Sequence, residues 1–115
     1  MPVKIKRIYE LAAPEDGQRI LVDRLWPRGV AKAEAHIDLW LKDVAPSADL
    51  RRWFGHKPER WAEFQKRYLA ELKDNPAFED LRRLARGKPT TLLYGAKDET
   101  HNQARVLADR LNGDD

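Results

Sequence analysis

Ile20-Leu21-Val22, running into Asp23-Arg24-Leu25-Trp26-Pro27-Arg28-Gly29, is the stretch on which the fold turns. Three consecutive apolar side chains leave no polar face, which suits a strand covered on both sides, as in the interior of a parallel sheet. Pro27 and Gly29 then enforce a loop. A second segment has the same form: the apolar Thr91-Leu92-Leu93-Tyr94, then the polar Gly95-Ala96-Lys97-Asp98-Glu99-Thr100-His101-Asn102. Near the start, Val3 and Ile5 alternate with Lys4 and Lys6, the period of a half-buried strand continuing towards Tyr9. Pro14-Glu15-Asp16-Gly17 marks the turn that separates it from Ile20.

Helix punctuation fills the interval between the two apolar runs. Ser47 is placed to cap a helix carrying Leu50, Trp53 and Phe54, which Gly55 stops. Pro58 sits in the first turn of a second helix, whose face is Trp61, Phe64, Tyr68, Leu69 and Leu72. Asn75-Pro76 opens a third, with Phe78, Leu81, Leu84 and Ala85 inward, ended by Gly87-Lys88-Pro89. Thr100 and Gln103 form a capping box ahead of a last helix with Ala104, Leu107, Ala108 and Leu111 inward. Residues 33–45 fit either period. Ile37, Leu39 and Leu41 alternate as in a strand, while Ile37, Trp40, Leu41 and Val44 fit a helix. Branching at Ile37 and Val44, with Pro46 beyond, favours an extended segment. The expected architecture is a small single-domain α/β fold over 1–115, a largely parallel sheet of three to four strands packed with about four helices.

Composition narrows the function classes. The chain has 115 residues, enough for one core, with 42% hydrophobic and 36% charged residues. There is no cysteine and a single serine, Ser47, already engaged as a helix cap, so covalent catalysis through either nucleophile is excluded. The absence of cysteine fits the cytoplasm. Charges interrupt the first apolar residues, so they read as a strand and not as a leader. No apolar run approaches the ~20 residues that span a bilayer, and no membrane association is expected. Residues 1–60 carry 12 Lys and Arg against 9 Asp and Glu, and residues 61–115 carry ten of each. The excess gathers at Arg19, Arg24, Arg28 and Lys32. A short basic segment suits a small anion at least as well as a nucleic-acid backbone, which more often meets a longer stripe.

In open α/β sheets ligands collect beyond the carboxyl ends of the strands. If the two apolar strands are parallel neighbours, the loops after them lie side by side. In the first, Arg24 and Arg28 can clamp an anion bidentately. Asp23 either orients Arg24 or serves as an acid/base group. In the second, the start of the last helix offers free N–H groups and positive potential. There Lys97, Asp98 and Asn102 are candidate ligand contacts, and a neutral His101 is a candidate base or hydrogen-bond donor. His56, after Gly55, points towards the same cleft or merely marks a helix start. Each has a purely structural alternative: a rigid turn with paired arginines, a simple cap, a surface histidine. His36, His56 and His101 match no metal-binding spacing, so no metal site is expected. The residues do not identify a cofactor. Trp40, Trp53 and Trp61 occupy core positions, and no phosphate-binding glycine motif is present.

Four motifs in order are similar to those of the YeaO-like bacterial proteins, a family labelled as a domain of unknown function. They are Asp23 to Gly29, Trp40-Leu41-Lys42-Asp43-Val44-Ala45-Pro46-Ser47, Leu50-Arg51-Arg52-Trp53-Phe54-Gly55-His56, and Thr91 to Asn102. The likeness runs from about residue 3 to residue 111. It implies a small cytoplasmic α/β protein with no assigned activity. A methyltransferase label borne by some members finds no glycine-rich donor site here. Strands ahead of polar loops also look loosely like rhodaneses and cysteine phosphatases, whose mechanism requires the missing cysteine. Two functions remain to be separated. One is a cleft for a phosphate- or carboxylate-bearing small molecule. The other is a non-catalytic module that binds nucleic acid or protein through Arg19, Arg24, Arg28, Lys32, Arg51 and Arg52. A protein with no site at all is the third possibility.

Overall fold

A computed structural model describes residues 2–113. Its sheet follows from the two apolar runs. The strands are β1 (Val3–Arg7), β2 (Gln18–Leu21), β3 (Leu39–Trp40) and β4 (Thr90–Tyr94), all parallel, in the order β1-β4-β2-β3. The continuously apolar strands are the inner pair and the alternating one is an edge. All five β4 residues are buried, and Leu92 lies between Ile5 on one side and Ile20 on the other. Gly17 makes the β2–β4 approach feasible. Its φ is +64°, and a Cβ there would stand 2.3 Å from the Pro89 carbonyl oxygen, which accepts the Gln18 N–H at 2.9 Å.

One face of the sheet is covered by helices α2 (Ala48–Phe54), α3 (Trp61–Lys73), α4 (Pro76–Ala85) and α5 (Gln103–Asn112). Val3, Ile20, Val22, Leu92 and Tyr94 pack into a core with Leu50, Phe54, Phe64, Tyr68, Leu81 and Leu107. Ser47 caps α2 by accepting the Leu50 N–H at 3.2 Å, and Gly55 ends it at φ 54°. Glu71 of α3 fastens that cap, accepting from the Ser47 N–H at 2.9 Å and its hydroxyl at 2.6 Å. Asn75 caps α4. Among the described residues no helix is long and apolar enough to cross a membrane.

The ambiguous segment 33–45 resolves into three short pieces, not one extended segment. They are the single turn α1 (Lys32–Ala35), the two-residue β3, and a 3-10 turn over Lys42–Val44. The cause is local. His36 adopts φ 51°, and the Asp38 carboxylate and N–H both bind the Arg19 backbone, at 2.8 Å each. Strand pairing with β2 therefore begins only at Leu39 and ends at Trp40.

The other face has no long helix over it. Leu21 and Leu93 meet Ile8 and Ala35, with Trp26, Val30, Ile37 and Trp40 at the margin. Beside them lies an ionic knot. Asp16 and Arg19 are each 5% exposed and bonded at 2.5 Å, with Lys6 on the same carboxylate at 2.9 Å. Arg19 also donates to the His36 and Ala35 carbonyls, and the Ala13 N–H donates to Asp16. Burial pushes the Asp16 carboxyl up, but the hydrogen bonds from Lys6, Ala13 and Arg19 outweigh it and hold it below the usual 3.8.

Breaking one side of a buried ion pair leaves a charge uncompensated. Asp16→Asn should lower the unfolding free energy by about 3–5 kcal/mol, read as a reduced urea midpoint at unchanged slope. In the wild type the Asp16 contribution is present above the ordinary aspartate range and is lost as pH falls through the depressed folded value. The variant's acid-unfolding profile should lack that component. A loss under about 1 kcal/mol would show that the knot is not what secures this face.

Candidate functional site

Because β2 and β4 are parallel neighbours, the loops that leave their carboxyl ends emerge side by side. Asp23 joins them. Its carboxylate accepts the Gly95 N–H at 2.9 Å and the Gln103 side-chain amide at 2.5 Å, and its carbonyl accepts the Trp40 indole N–H at 2.7 Å. Gly95 has no side chain to obstruct this, since a Cβ there would lie 3.0 Å from the Asp23 carboxylate. Burial is the largest influence on Asp23 and raises its carboxyl above the usual value. The Gly95 and Gln103 hydrogen bonds and the charge of Arg51 oppose the rise without cancelling it.

Above Asp23 opens a cleft of about 200 Å³, lined by Asp23, Arg24, Leu25, Ala45, Pro46, Arg51, His56, Ala96 and Gln103. Arg24 is held in place by the Ala45 and Pro46 carbonyls, at 3.1 and 3.4 Å, with the Asp43 carboxylate 3.8 Å away. Arg51 enters from α2. His56 reaches the cleft from a left-handed backbone conformation, φ 56°, directly after Gly55 at φ 54°. A non-glycine residue held there costs on the order of 1 kcal/mol, and such strain recurs where proteins bind ligands.

Three of the residues singled out in the sequence, Asp23, Arg24 and His56, thus meet in one cleft. The others are placed elsewhere. Arg28 is exposed, and its carbonyl accepts the Tyr9 hydroxyl at 2.9 Å. Lys97 is exposed in the β4–α5 loop. Asp98 accepts the N–H groups of Thr100 and His101 at 2.9 Å each, and the His101 Nδ1 donates to it at 2.9 Å. The His101 N–H, then that of Thr100, then the His101 ring pull the Asp98 carboxyl down to about 2. The His101 ring rests edge-on against Trp61, 5.2 Å between centroids, and is not among the cleft's lining residues. Among the described residues no group of three or more His, Asp or Glu side chains gathers to hold a metal ion.

The capping box assigned to Thr100 and Gln103 is corrected. Asn102, 2% exposed, is the α5 cap, accepting the Arg105 N–H at 2.9 Å and donating to the Asp98 carbonyl at 3.0 Å. Thr100 and His101 belong to the turn that Asp98 closes. Gln103 is thereby released to reach Asp23, a role that spacing did not reveal. Arg51 was legible only as a surface cation. Its approach to Asp23 depends on how α2 crosses the strand ends.

Known proteins resemble this chain over nearly its whole length. A family model described as the inactive DUF488-N3 subclade matches residues 2–114. The uncharacterised protein YeaO of Escherichia coli (strain K12) is 46% identical over 112 residues, covering 96% of this chain and 97% of that protein. An uncharacterised protein of Mycobacterium tuberculosis (strain ATCC 25618 / H37Rv) is 45% identical over 111 residues, covering 96% of this chain and 94% of its own. No solved structure matches the chain significantly.

The corrected cap is directly checkable. Asn102→Ala should cost about 1–2 kcal/mol, because it removes a buried cap. Thr100→Ala should change stability by less than about 0.5 kcal/mol. Equal losses in chemical denaturation would restore Thr100 as the cap.

Proposed function

The chain belongs to the YeaO-like family, within the inactive DUF488-N3 subclade, and on that footing we propose that it binds a small phosphate- or carboxylate-bearing ligand in the strand-end cleft without transforming it covalently. The observation that carries this reading is the convergence of Arg24, Arg51, His56 and Gln103 over a half-buried carboxyl, at the ends of two inner parallel strands. The cleft is small, about 200 Å³, and suits an anionic head group more than an extended chain. Absence of cysteine and a family described as inactive both support binding as the function. Asp23 and His101 remain the candidate acid/base residues should chemistry occur, with Arg24, Arg51, His56 and Gln103 as contacts. The protein's place in the cytoplasm is part of the same proposal.

Asp23 gives the cleft a built-in pH response. Ionised, its carboxylate opposes an incoming anion, while protonated it donates a hydrogen bond. Since its value is raised, this change falls above pH 3.8 and anion affinity should strengthen as pH is lowered through it. Folding is linked in the same sense. The protonated form is favoured in the folded state, so that contribution is full below the unfolded value and is lost as pH rises through the folded one.

The basic-face alternative draws less support. Arg19 is buried against Asp16, Arg52 pairs with Asp49, and Arg24 faces backbone carbonyls. A nucleic-acid surface needs its cations exposed together.

Thermal unfolding against orthophosphate, sulfate, small carboxylates and a short oligonucleotide tests the reading. A ligand at 100 times its dissociation constant adds about 2.7 kcal/mol, a shift on the order of 10 °C at this size. One small anion should shift the wild type, Arg51→Ala should abolish the shift, and Asp23→Asn should enlarge it and flatten its pH dependence. A shift by the oligonucleotide alone, steeply reduced by salt, would replace the cleft with the basic face.

A further inference from the structure

The strand-end cleft offers hydrogen-bond acceptors as well as donors, and acceptors repel an anion that brings no proton. Asp23 is the first acceptor. Its carboxylate takes one hydrogen bond on each oxygen, from the Gly95 N–H at 2.9 Å on Oδ2 and the Gln103 amide at 2.5 Å on Oδ1. An ionised carboxylate has about four lone-pair sites, so these two donors leave about half of its capacity unused. Among the described residues no cation bonds to the remainder. Arg24 donates to the Ala45 and Pro46 carbonyls, at 3.1 and 3.4 Å, and its ion pair is with Asp43 at 3.8 Å. Arg51 reaches Asp23 only through its charge, and its guanidinium makes no hydrogen bond or ion pair among the described residues. Gln103 is the second acceptor. It donates to Asp23 through Nε2, and its Oε1 receives no donor among the described residues.

We propose that the cleft selects a phosphate group that retains a proton, either free hydrogen phosphate or the monoanion of a phosphate monoester. This rests on the anion-binding reading of the same cleft and narrows it. Arg51 and His56 line the cleft with Asp23 and can donate to the ligand's unprotonated oxygens. The P–O–H group donates to the Asp23 carboxylate, and one proton between two acidic oxygens turns a repulsion into a charge-assisted hydrogen bond. Sulfate has the same tetrahedral shape but no proton to give. Against an ionised Asp23 its oxygens meet only lone pairs, so it has to wait for Asp23 to be protonated. A simple carboxylate has the same deficiency. Phosphate carries donor and acceptors on one centre, which suits a cleft of about 200 Å³.

Isothermal titration calorimetry on the full chain, at constant ionic strength and slightly alkaline pH, compares hydrogen phosphate with sulfate. Both are then dianions, and they differ by the proton. Phosphate should bind at least about tenfold more tightly, the effect of one hydrogen bond to a charged group. At about pH 6, the second pKa of a phosphate monoester, methyl phosphate should bind at least about tenfold more tightly than dimethyl phosphate, a monoanion without a proton. His56 adds its charge to every anion alike, so the ratios are read and not the absolute affinities. In Asp23→Asn the carboxamide can donate to either anion. Sulfate should then tighten about tenfold while phosphate gains less than about threefold, and the preference collapses. Arg51→Ala should weaken both anions by a similar factor and preserve the preference. Tighter binding of methyl phosphate than of orthophosphate at the same pH would identify an ester as the source, and the reverse the free ion; either upholds the selectivity. The wild-type ratios decide the question even where Asp23→Asn does not fold. Equal binding of phosphate and sulfate would overturn the proposal and leave the anion cleft standing, whereas binding of no anion would remove the cleft itself. Glycolate, a carboxylate with a hydroxyl donor, binding more tightly than phosphate would also overturn it.

Discussion

A parallel sheet must be covered on both faces, and this chain carries long helices for only one of them. The rest of the structure follows from how the second face is closed. Residues 8–16 and 26–38 lie over it as loops with two short helical turns, Pro14–Asp16 and Lys32–Ala35, and loops carry polar backbone that a core cannot leave unpaired. The Asp16–Arg19–Lys6 knot answers this need. One arginine satisfies the His36 and Ala35 carbonyls while its own charge is met by Asp16, and Thr91 on the inner strand donates to the Asp16 carbonyl at 2.8 Å. An ion pair here replaces part of an apolar layer. That exchange adds little net stability compared with a well-packed hydrophobic face, but it ties three separate segments to one place.

The same arithmetic of burial acts on Asp23 with the opposite result. Asp16 has two cations within bonding distance and is held ionised. Asp23 has neutral donors, the Gly95 N–H and the Gln103 amide, and only the more distant influence of Arg51, so desolvation prevails and its carboxyl is raised. Two aspartates a few residues apart in sequence are therefore tuned in opposite directions, one as a fastener and one as a group that changes protonation more readily. The difference follows the partners that meet each carboxylate.

Much of the fold was legible because it depends on local pattern. Ile20-Leu21-Val22 and Thr91 to Tyr94 announced strands covered on both sides by lacking a polar face, while Val3 to Lys6 announced a half-buried strand by having one, and it lies at the sheet's edge. Ser47, Gly55, Pro58, Asn75 and Gly87 marked helix ends through short-range backbone chemistry. The segment 33–45 was not legible, because its pieces are set by Arg19 and Asp38 across strands and not by its own periodicity. At the site, Asp23, Arg24 and His56 were visible as polar residues beside strand and helix ends. The cap at Asn102 was displaced from Thr100 because Asp98 takes the preceding N–H groups into its own turn, a competition between two equally local motifs. Gln103 and Arg51 join the cleft through contacts some 80 and 28 residues away in sequence, and no linear spacing encodes those.

Charge shows the limit of linear reading most sharply. Counted along the chain, the second half is neutral and the basic excess falls near Arg24 and Arg28. Folding redistributes it. Arg19 is neutralised in the knot, Arg24 turns to carbonyls, and Arg52, Arg67 and Arg83 pair with acids one helical turn away. Acids at helical spacing meet those cations on the same face. Lys66, Lys73, Arg82 and Arg110 come together from three helices, separated by up to 44 residues and drawn from the half that sums to zero, with Glu79 beside Arg82. Net charge is additive along a chain, but potential is a property of proximity, and in this fold proximity is decided by the packing of α3, α4 and α5.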